Sequence, residues 1–148
     1  MQIAQILTSD RVQPDSGSQS KKAALETVAG LLASAEPGLS ATEVFNSLVA
    51  REKLGSTGLG HGVALPHGRR KTGDATLGAF LRLSRGIDYD AIDRQPVDLL
   101  FALLVPENST EEHLQVLATL AERFSNPELL QKLRSGTDAA ELYRLLAG

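Results

Sequence analysis

The chain has 148 residues, of which 42% are hydrophobic and 22% are charged, and its formal net charge at pH 7 is −3. This length suits one domain with a sizeable core, so we predict a single domain over residues 1–148. Acidic residues outnumber basic ones by 18 to 15, and nucleic acid is therefore not an expected partner. Cysteine is absent, which excludes disulfides and thiolate metal sites and suits a reducing cytosol.

The N-terminal residues carry neither a basic segment nor a long apolar stretch, so we expect no signal peptide. The longest strongly apolar run, residues 99–105, is much shorter than a membrane span. We therefore expect a cytoplasmic protein without membrane insertion.

The first third of the chain predicts two helices. Apolar residues recur at helical spacing within residues 19–35, and a Pro-Gly pair ends that segment. Ser40 followed by Glu43 is the capping-box pattern, which predicts a second helix as far as Lys53.

The middle of the chain combines a glycine-rich loop with short strands. Four glycines lie within residues 55–62, and the apolar segments 63–65, 75–83 and 97–105 predict strands. The last segment is almost continuously apolar, which is typical of a strand covered on both faces.

The last third of the chain predicts further helices. Ser109 and Glu112 have the capping-box spacing at the start of a helix over residues 109–125, Pro127 begins another helix, and Thr137 begins a short final one. Helix pairs on both sides of several strands predict an α/β (α+β) fold, a three-layer sandwich in which helices flank a mixed β-sheet.

His67 is the first candidate for chemistry. It follows the predicted strand 63–65, between Pro66, which restrains the backbone, and Gly68, which leaves the imidazole accessible. Taken alone, this spacing fits a histidine in a turn better than a reactive one.

The glycine-rich loop is a candidate anion site, because its backbone N–H groups can cradle a phosphate. The candidate phosphoryl-binding residues are Ser56, Thr57, Gly58 and Gly60.

His113 falls at the fourth position of the helix that Ser109 precedes, on the same stripe as Leu117 and Leu120. That stripe faces inward and lies just beyond the strand 97–105, where ligands of open α/β sheets collect. An anion is favoured at a helix N-terminus. A buried structural histidine fits the same pattern.

Basic residues surround the loop. Arg51 stands near the end of the second helix, where it either complements the helix dipole or clamps a phosphoryl group. Arg69, Arg70 and Lys71 predict a basic rim beside His67 that would attract an acidic partner.

Together these residues resemble the active-site signature of enzyme IIA domains of the mannitol/fructose type in bacterial phosphotransferase systems. Residues 51–68 carry the resemblance, and residues 19–26 and 90–106 extend it over nearly the whole chain. The similarity is greatest to the nitrogen-type branch. His61 stands where relatives often have asparagine.

The resemblance implies a phosphotransferase with a phosphohistidine intermediate. It implies that His67 accepts the phosphoryl group from an HPr-type carrier protein, that His113 lies opposite, and that Arg51 helps to bind the phosphoryl group. Neither a metal nor a cofactor is expected. In the nitrogen-type branch it also implies control of target proteins, such as potassium-transport or sensor proteins.

Two other functions stay open at this point. One is a sugar-specific enzyme IIA that passes phosphoryl groups to a permease IIB component, although a chain without IIB or IIC domains favours regulation. The other is a binding module of the same fold without phosphoryl transfer, which the joint presence of His67, His113 and Arg51 disfavours.

Overall fold

The computed structural model describes residues 2–148, apart from the side chain of Thr110. Within that part, a six-stranded mixed sheet carries α-helices on both faces. The strands are β1 (Val12–Ser16), β2 (Gly58–Gly60), β3 (Val63–Ala64), β4 (His67–Arg70), β5 (Leu77–Ile87) and β6 (Val97–Pro106). The helices are α1 (Lys21–Ala33), α2 (Ala41–Glu52), α3 (Thr110–Arg123), α4 (Pro127–Ser135) and α5 (Ala139–Ala147).

The long antiparallel pair β5 and β6 forms the centre of the sheet and separates two hydrophobic cores. Alternate residues point to opposite faces, so Leu81 and Leu100 pack against α1 and α2. Phe80 and Phe101 point the other way and pack with Phe124 against α3, α4 and α5. The predicted three-layer sandwich with a mixed sheet is confirmed. Among residues 2–148, no helix is both long and apolar enough to cross a bilayer.

Helix α3 begins as predicted, but the capping box at its start does not form. The Ser109 side chain accepts no cap hydrogen bond, and only its carbonyl is used, by the N–H of His113 at 3.1 Å. The Glu112 carboxylate instead lies 3.5 Å from the hydroxyl of Thr76. A tertiary contact therefore replaces the local one that the spacing suggests.

Three strands, β1, β2 and β4, have no periodic signal in the sequence. They are short and contain glycine, proline or charged residues, and they form because other strands lie beside them. β1 pairs in parallel with β5, β2 pairs with β3, and β4 pairs with β6. His67 is consequently a strand residue and not a turn residue.

β3 and β4 are two parts of one interrupted strand that runs parallel to β6. Val63 pairs with Leu99, and His67 pairs with Leu103 in the same register. Pro66 lies in the interruption, where its carbonyl accepts the N–H of Leu103 at 3.0 Å. A proline fits here because no N–H is needed from it.

Helix α2 rests directly on the backbone of β4 at Gly68. A Cβ atom at Gly68 would lie 2.6 Å from Oγ of Ser47 and 3.3 Å from the backbone nitrogen of Leu48. The Ser47 hydroxyl also accepts the N–H of Arg69 at 2.8 Å. Glycine next to His67 therefore permits the close approach of helix and strand.

Replacing Gly68 with alanine should lower the free energy of unfolding by about 1–3 kcal/mol, because the added methyl group must displace α2. The matched control is Gly30→Ala on α1, where a Cβ would meet no atom within 4 Å. That control should raise stability by about 1 kcal/mol through helix propensity. Urea unfolding of both variants measures the difference, and equal stabilities would contradict the close approach at Gly68.

Candidate active site

Two imidazole rings face each other where β4 begins. His67 is the first residue of β4, and His113 lies in the first turns of α3. Their ring centroids are 5.0 Å apart with an interplanar angle of 87°, and each residue is 9% exposed. The fold thus brings together the two histidines that the sequence singles out.

The His67 ring is held in one tautomer by a backbone contact. Its Nδ1 lies 2.9 Å from the carbonyl oxygen of Leu65, which can only accept a hydrogen bond. The neutral ring therefore carries its proton on Nδ1 and a free electron pair on Nε2.

Burial lowers the pKa of His67 below its ordinary value, and the positive charges of Arg51 and Arg69 act in the same direction. The hydrogen bond to Leu65 and the negative charge of Glu52 oppose this shift. The ring is consequently neutral at pH 7 and available as a nucleophile.

His113 is held differently. Within the described part of the chain, its buried Nδ1 has no hydrogen-bond partner. Burial lowers the pKa of His113, and His67, Arg69 and Arg51 lower it further. A buried polar atom without a partner is costly, by about 1–3 kcal/mol, which makes it a candidate contact for a ligand.

Two guanidinium groups act on the histidine pair. Arg51, in the last turn of α2, donates from Nη1 to the carbonyl of Gly55 at 2.8 Å. Arg69, exposed on β4, donates from Nη1 to the carbonyl of Glu107 at 3.1 Å. Both place positive charge close enough to lower the pKa values of the imidazoles.

The predicted basic rim is smaller than the sequence suggests. Arg70 is buried and paired with the carboxylate of Glu36, so it does not belong to the rim. Strand alternation turns its side chain inward, whereas Arg69 and Lys71 are exposed.

Several hydrogen-bond donors of the glycine-rich loop already have partners within the protein. Both the N–H and the hydroxyl of Thr57 donate to Glu52, and the N–H of Gly58 donates to the Ser56 hydroxyl at 3.1 Å. Gly58 and Gly60 belong to β2 and pair with β3. A role of these four loop residues in phosphoryl binding stays a prediction.

His61 is exposed at the tip of the β2–β3 hairpin. Its φ of 58° and that of Gly62, 79°, lie in the left-handed region, which asparagine and glycine adopt most readily. Arg134 donates to the His61 carbonyl at 2.6 Å and pairs with Asp98 at 2.9 Å. Asp98, in β6, thus contacts the distant helix α4.

The sequence reasoning missed a buried polar cluster beneath the loop, formed by Lys21, Glu52, Thr57 and Tyr89. Lys21 Nζ lies 3.0 Å from Glu52 Oε1 and 4.5 Å from the centroid of the Tyr89 ring. Burial raises the pKa of Tyr89, and the charge of Glu52 adds to the shift. One signal was available, because Glu52 follows the buried Leu48 by four residues and shares its helix face.

Comparison with known proteins identifies the family. The family described as "Phosphoenolpyruvate-dependent sugar phosphotransferase system, EIIA 2" matches residues 5–148. The chain belongs to this family. The resemblance found in the signature around His67 is therefore confirmed for almost the full length of the chain.

Within the EIIA family, the chain resembles nitrogen regulatory proteins. That of Pseudomonas aeruginosa is 44% identical over 146 residues, which cover 99% of this chain and 95% of the relative. That of Escherichia coli is 40% identical over 147 residues, which cover 99% of this chain and 90% of the relative. These similarities confirm the nitrogen-regulatory branch.

Solved structures agree with this placement. The crystal structure of the nitrogen regulatory protein IIA-Ntr from Neisseria meningitidis superposes with a TM-score of 0.91 at 44% identity and covers 97% of this chain and 98% of that one. The mannitol IIA of Escherichia coli has a TM-score of 0.75 at 22% identity and covers 95% of this chain and 99% of that one. This similarity shows the shared fold alone.

Acidification should destabilise the chain through the two histidines. Because the pKa values of His67 and His113 lie below the ordinary value, the unfolded chain takes up protons at a higher pH than the folded chain. The contribution to stability is complete above the unfolded pKa of about 6.5 and is lost as the pH falls through that value towards the folded pKa values.

The measurement is the free energy of unfolding in urea between about pH 8 and pH 5. His67→Gln lacks one of the two groups and should show a shallower fall than the unsubstituted chain. Parallel curves would contradict the depressed pKa of His67.

Proposed function

We propose that the chain is a phosphocarrier that accepts a phosphoryl group on Nε2 of His67 from an HPr-type carrier protein. The observation that carries the proposal is the fixed tautomer of His67, whose Nδ1 faces the Leu65 carbonyl while Nε2 keeps its electron pair. Membership of the EIIA family, which implies phosphoryl transfer through histidine, supports it.

In this reaction the electron pair of Nε2 attacks the phosphorus atom of the carrier's phosphohistidine in line. The new N–P bond forms on His67 while the bond from phosphorus to the carrier's imidazole breaks, and its electrons return to that imidazole. The Nδ1 proton stays on His67, where the Leu65 carbonyl stabilises the positive charge that develops on the ring. Catalysis of such transfers depends chiefly on positioning and electrostatics.

His113 and Arg51 are proposed to stabilise the negative charge of the phosphoryl group. The His113 ring faces His67 at 5.0 Å and lies near the N-terminus of α3, where an anion is favoured. Arg51 can supply a charge-assisted hydrogen bond from the end of α2. Both groups are in place before the phosphoryl group arrives, so little reorganisation is needed.

We further propose that the phosphorylation state of His67 controls binding to target proteins, such as potassium-transport or sensor proteins. Nitrogen regulatory relatives that match the chain over nearly its full length support this proposal. A phosphohistidine adds a charge of about −1.5 to −2 beside Arg51 and Arg69, which alters how the surface meets a charged partner.

A sugar-specific IIA function has weaker support, because the similarity to mannitol IIA is limited to the fold. Transfer of phosphoryl groups to a IIB component would favour it. A difference in target binding between the phosphorylated and unphosphorylated chain would favour regulation.

His67→Ala should abolish phosphoryl uptake. We expect the unsubstituted chain, incubated with phosphoenolpyruvate, the first enzyme of the relay and the HPr-type carrier, to gain one acid-labile phosphoryl group by mass spectrometry. His61→Ala, which changes the exposed histidine of the hairpin, is the control and should gain it as well. Stoichiometric uptake by His67→Ala would show that another residue is the acceptor.

His113→Ala should fold but accept phosphoryl groups slowly. Loss of one electrostatic or acid–base partner typically costs about 10²–10⁴-fold in rate. Circular dichroism checks the fold, and time courses of phosphoryl uptake give the rate. A folded variant that reacts as fast as the unsubstituted chain would leave His113 with a packing role only.

A further inference from the structure

The carboxylate of Glu52 is buried beneath the glycine-rich loop, with its side chain 4% exposed. Its Oε1 accepts from Lys21 Nζ at 3.0 Å and from the N–H of Thr57 at 3.2 Å, and its Oε2 accepts from the hydroxyl of Thr57. Both carboxylate oxygens therefore have fixed donors, and these three contacts come from α1 and from the loop.

The hydrogen bond to the backbone N–H of Thr57 has a consequence for His67. Thr57 lies opposite Leu65 in the register that pairs Gly58 with Ala64, and the N–H of Leu65 donates to the Thr57 carbonyl at 3.0 Å. In an antiparallel pair of this kind the two residues normally exchange both hydrogen bonds. Here the N–H of Thr57 donates to Glu52 instead.

The carbonyl of Leu65 is thereby left for the imidazole. It accepts from Nδ1 of His67 at 2.9 Å, the contact that fixes the tautomer with a free Nε2. If Thr57 donated to Leu65, its N–H would compete with the imidazole for that oxygen. The loss of this contact would allow the proton to move to Nε2 and block the nucleophile.

Tyr89 and Lys21 close the cluster around Glu52. The Tyr89 hydroxyl lies 3.2 Å from Oγ1 of Thr57, and the Lys21 ammonium lies over the Tyr89 ring. These contacts join α1, the end of α2 and the segment between β5 and β6 at one point. The position of Thr57 therefore depends on several packed elements and not on the loop alone.

We propose that Glu52 is a positioning residue for phosphoryl transfer: by binding the N–H of Thr57 it keeps the Leu65 carbonyl free to orient His67. This proposal rests on the proposed function of His67 as the phosphoryl acceptor. Glu52 itself contacts neither the phosphoryl group nor its donor.

The deciding variants are Glu52→Met, which removes both acceptor oxygens, and Glu52→Gln, whose amide oxygen can still accept from Thr57. Glu36→Met is the matched control, because it breaks the ion pair with Arg70 without touching the cluster. We expect Glu52→Met to slow phosphoryl uptake by about 10–100-fold, the effect typical of a misplaced reacting group. Glu52→Gln should restore most of the rate, and Glu36→Met should leave it unchanged.

A second readout does not depend on transfer. Nitrogen-15 NMR of the unphosphorylated chains at about pH 8, where a free histidine is neutral, reports the tautomer of His67. We expect the Nδ1–H form in the unsubstituted chain, in Glu52→Gln and in Glu36→Met, and an increased share of the Nε2–H form in Glu52→Met. A merely structural role of Glu52 would lower the melting temperature and leave the tautomer unchanged.

Glu52→Met with the rate and tautomer of the unsubstituted chain would overturn the proposal, as would Glu52→Gln with the tautomer of Glu52→Met. Should Glu52→Met not fold, Glu52→Asp decides, because its shorter side chain draws the acceptor oxygens away from the N–H of Thr57. It must shift the tautomer towards Nε2–H relative to Glu52→Gln, and no shift would overturn the proposal. If the unsubstituted chain takes up no phosphoryl group, the proposed function fails, while the NMR measurement still decides whether Glu52 positions His67.

Discussion

The hydrogen bond from Nδ1 of His67 to the carbonyl of Leu65 is the interaction on which the site depends. It exists because the strand beside β6 is interrupted at Pro66, which sets the residues on its two sides at the required distance while the register with β6 continues. The contact leaves one nitrogen of a buried ring with its electron pair and gives the other nitrogen a fixed partner. Without it, burial alone would not select which nitrogen reacts.

The same sheet geometry brings His113 to His67. β6 ends at Pro106 and α3 begins at Thr110, so the chain turns back at once over the face of the sheet that carries Phe101. The fourth residue of the helix then lies above the start of β4. The register of β4 with β6 sets the distance for this meeting, because it pairs His67 with Leu103, three residues before β6 ends and the chain turns into the helix.

The environment of the pair combines burial with positive charge at its edge. Burial keeps both rings neutral, and Arg51 and Arg69 act on them from half-buried and exposed positions. A neutral nucleophile beside fixed positive groups suits the transfer of a negatively charged phosphoryl group, since repulsion between an imidazolium and the guanidinium groups is avoided. The buried Glu52 lies beneath the glycine-rich loop, where it binds Thr57.

The helices, the two central strands and the α/β class could be predicted from the sequence, because apolar periodicity is a local property of the chain. The sequence also singled out His67 and Arg51 through the long signature around His67, and His113 through its place on the inward stripe of a helix. The strands β1, β2 and β4, by contrast, form only where a neighbouring strand offers hydrogen-bonding partners, and their own residues carry no strand pattern. Arg70 turns inward to Glu36, Glu112 turns to Thr76, and Glu52 pairs with Lys21, because each side chain finds a partner that folding brings close. Such choices between a local and a distant partner were decided by the tertiary structure alone.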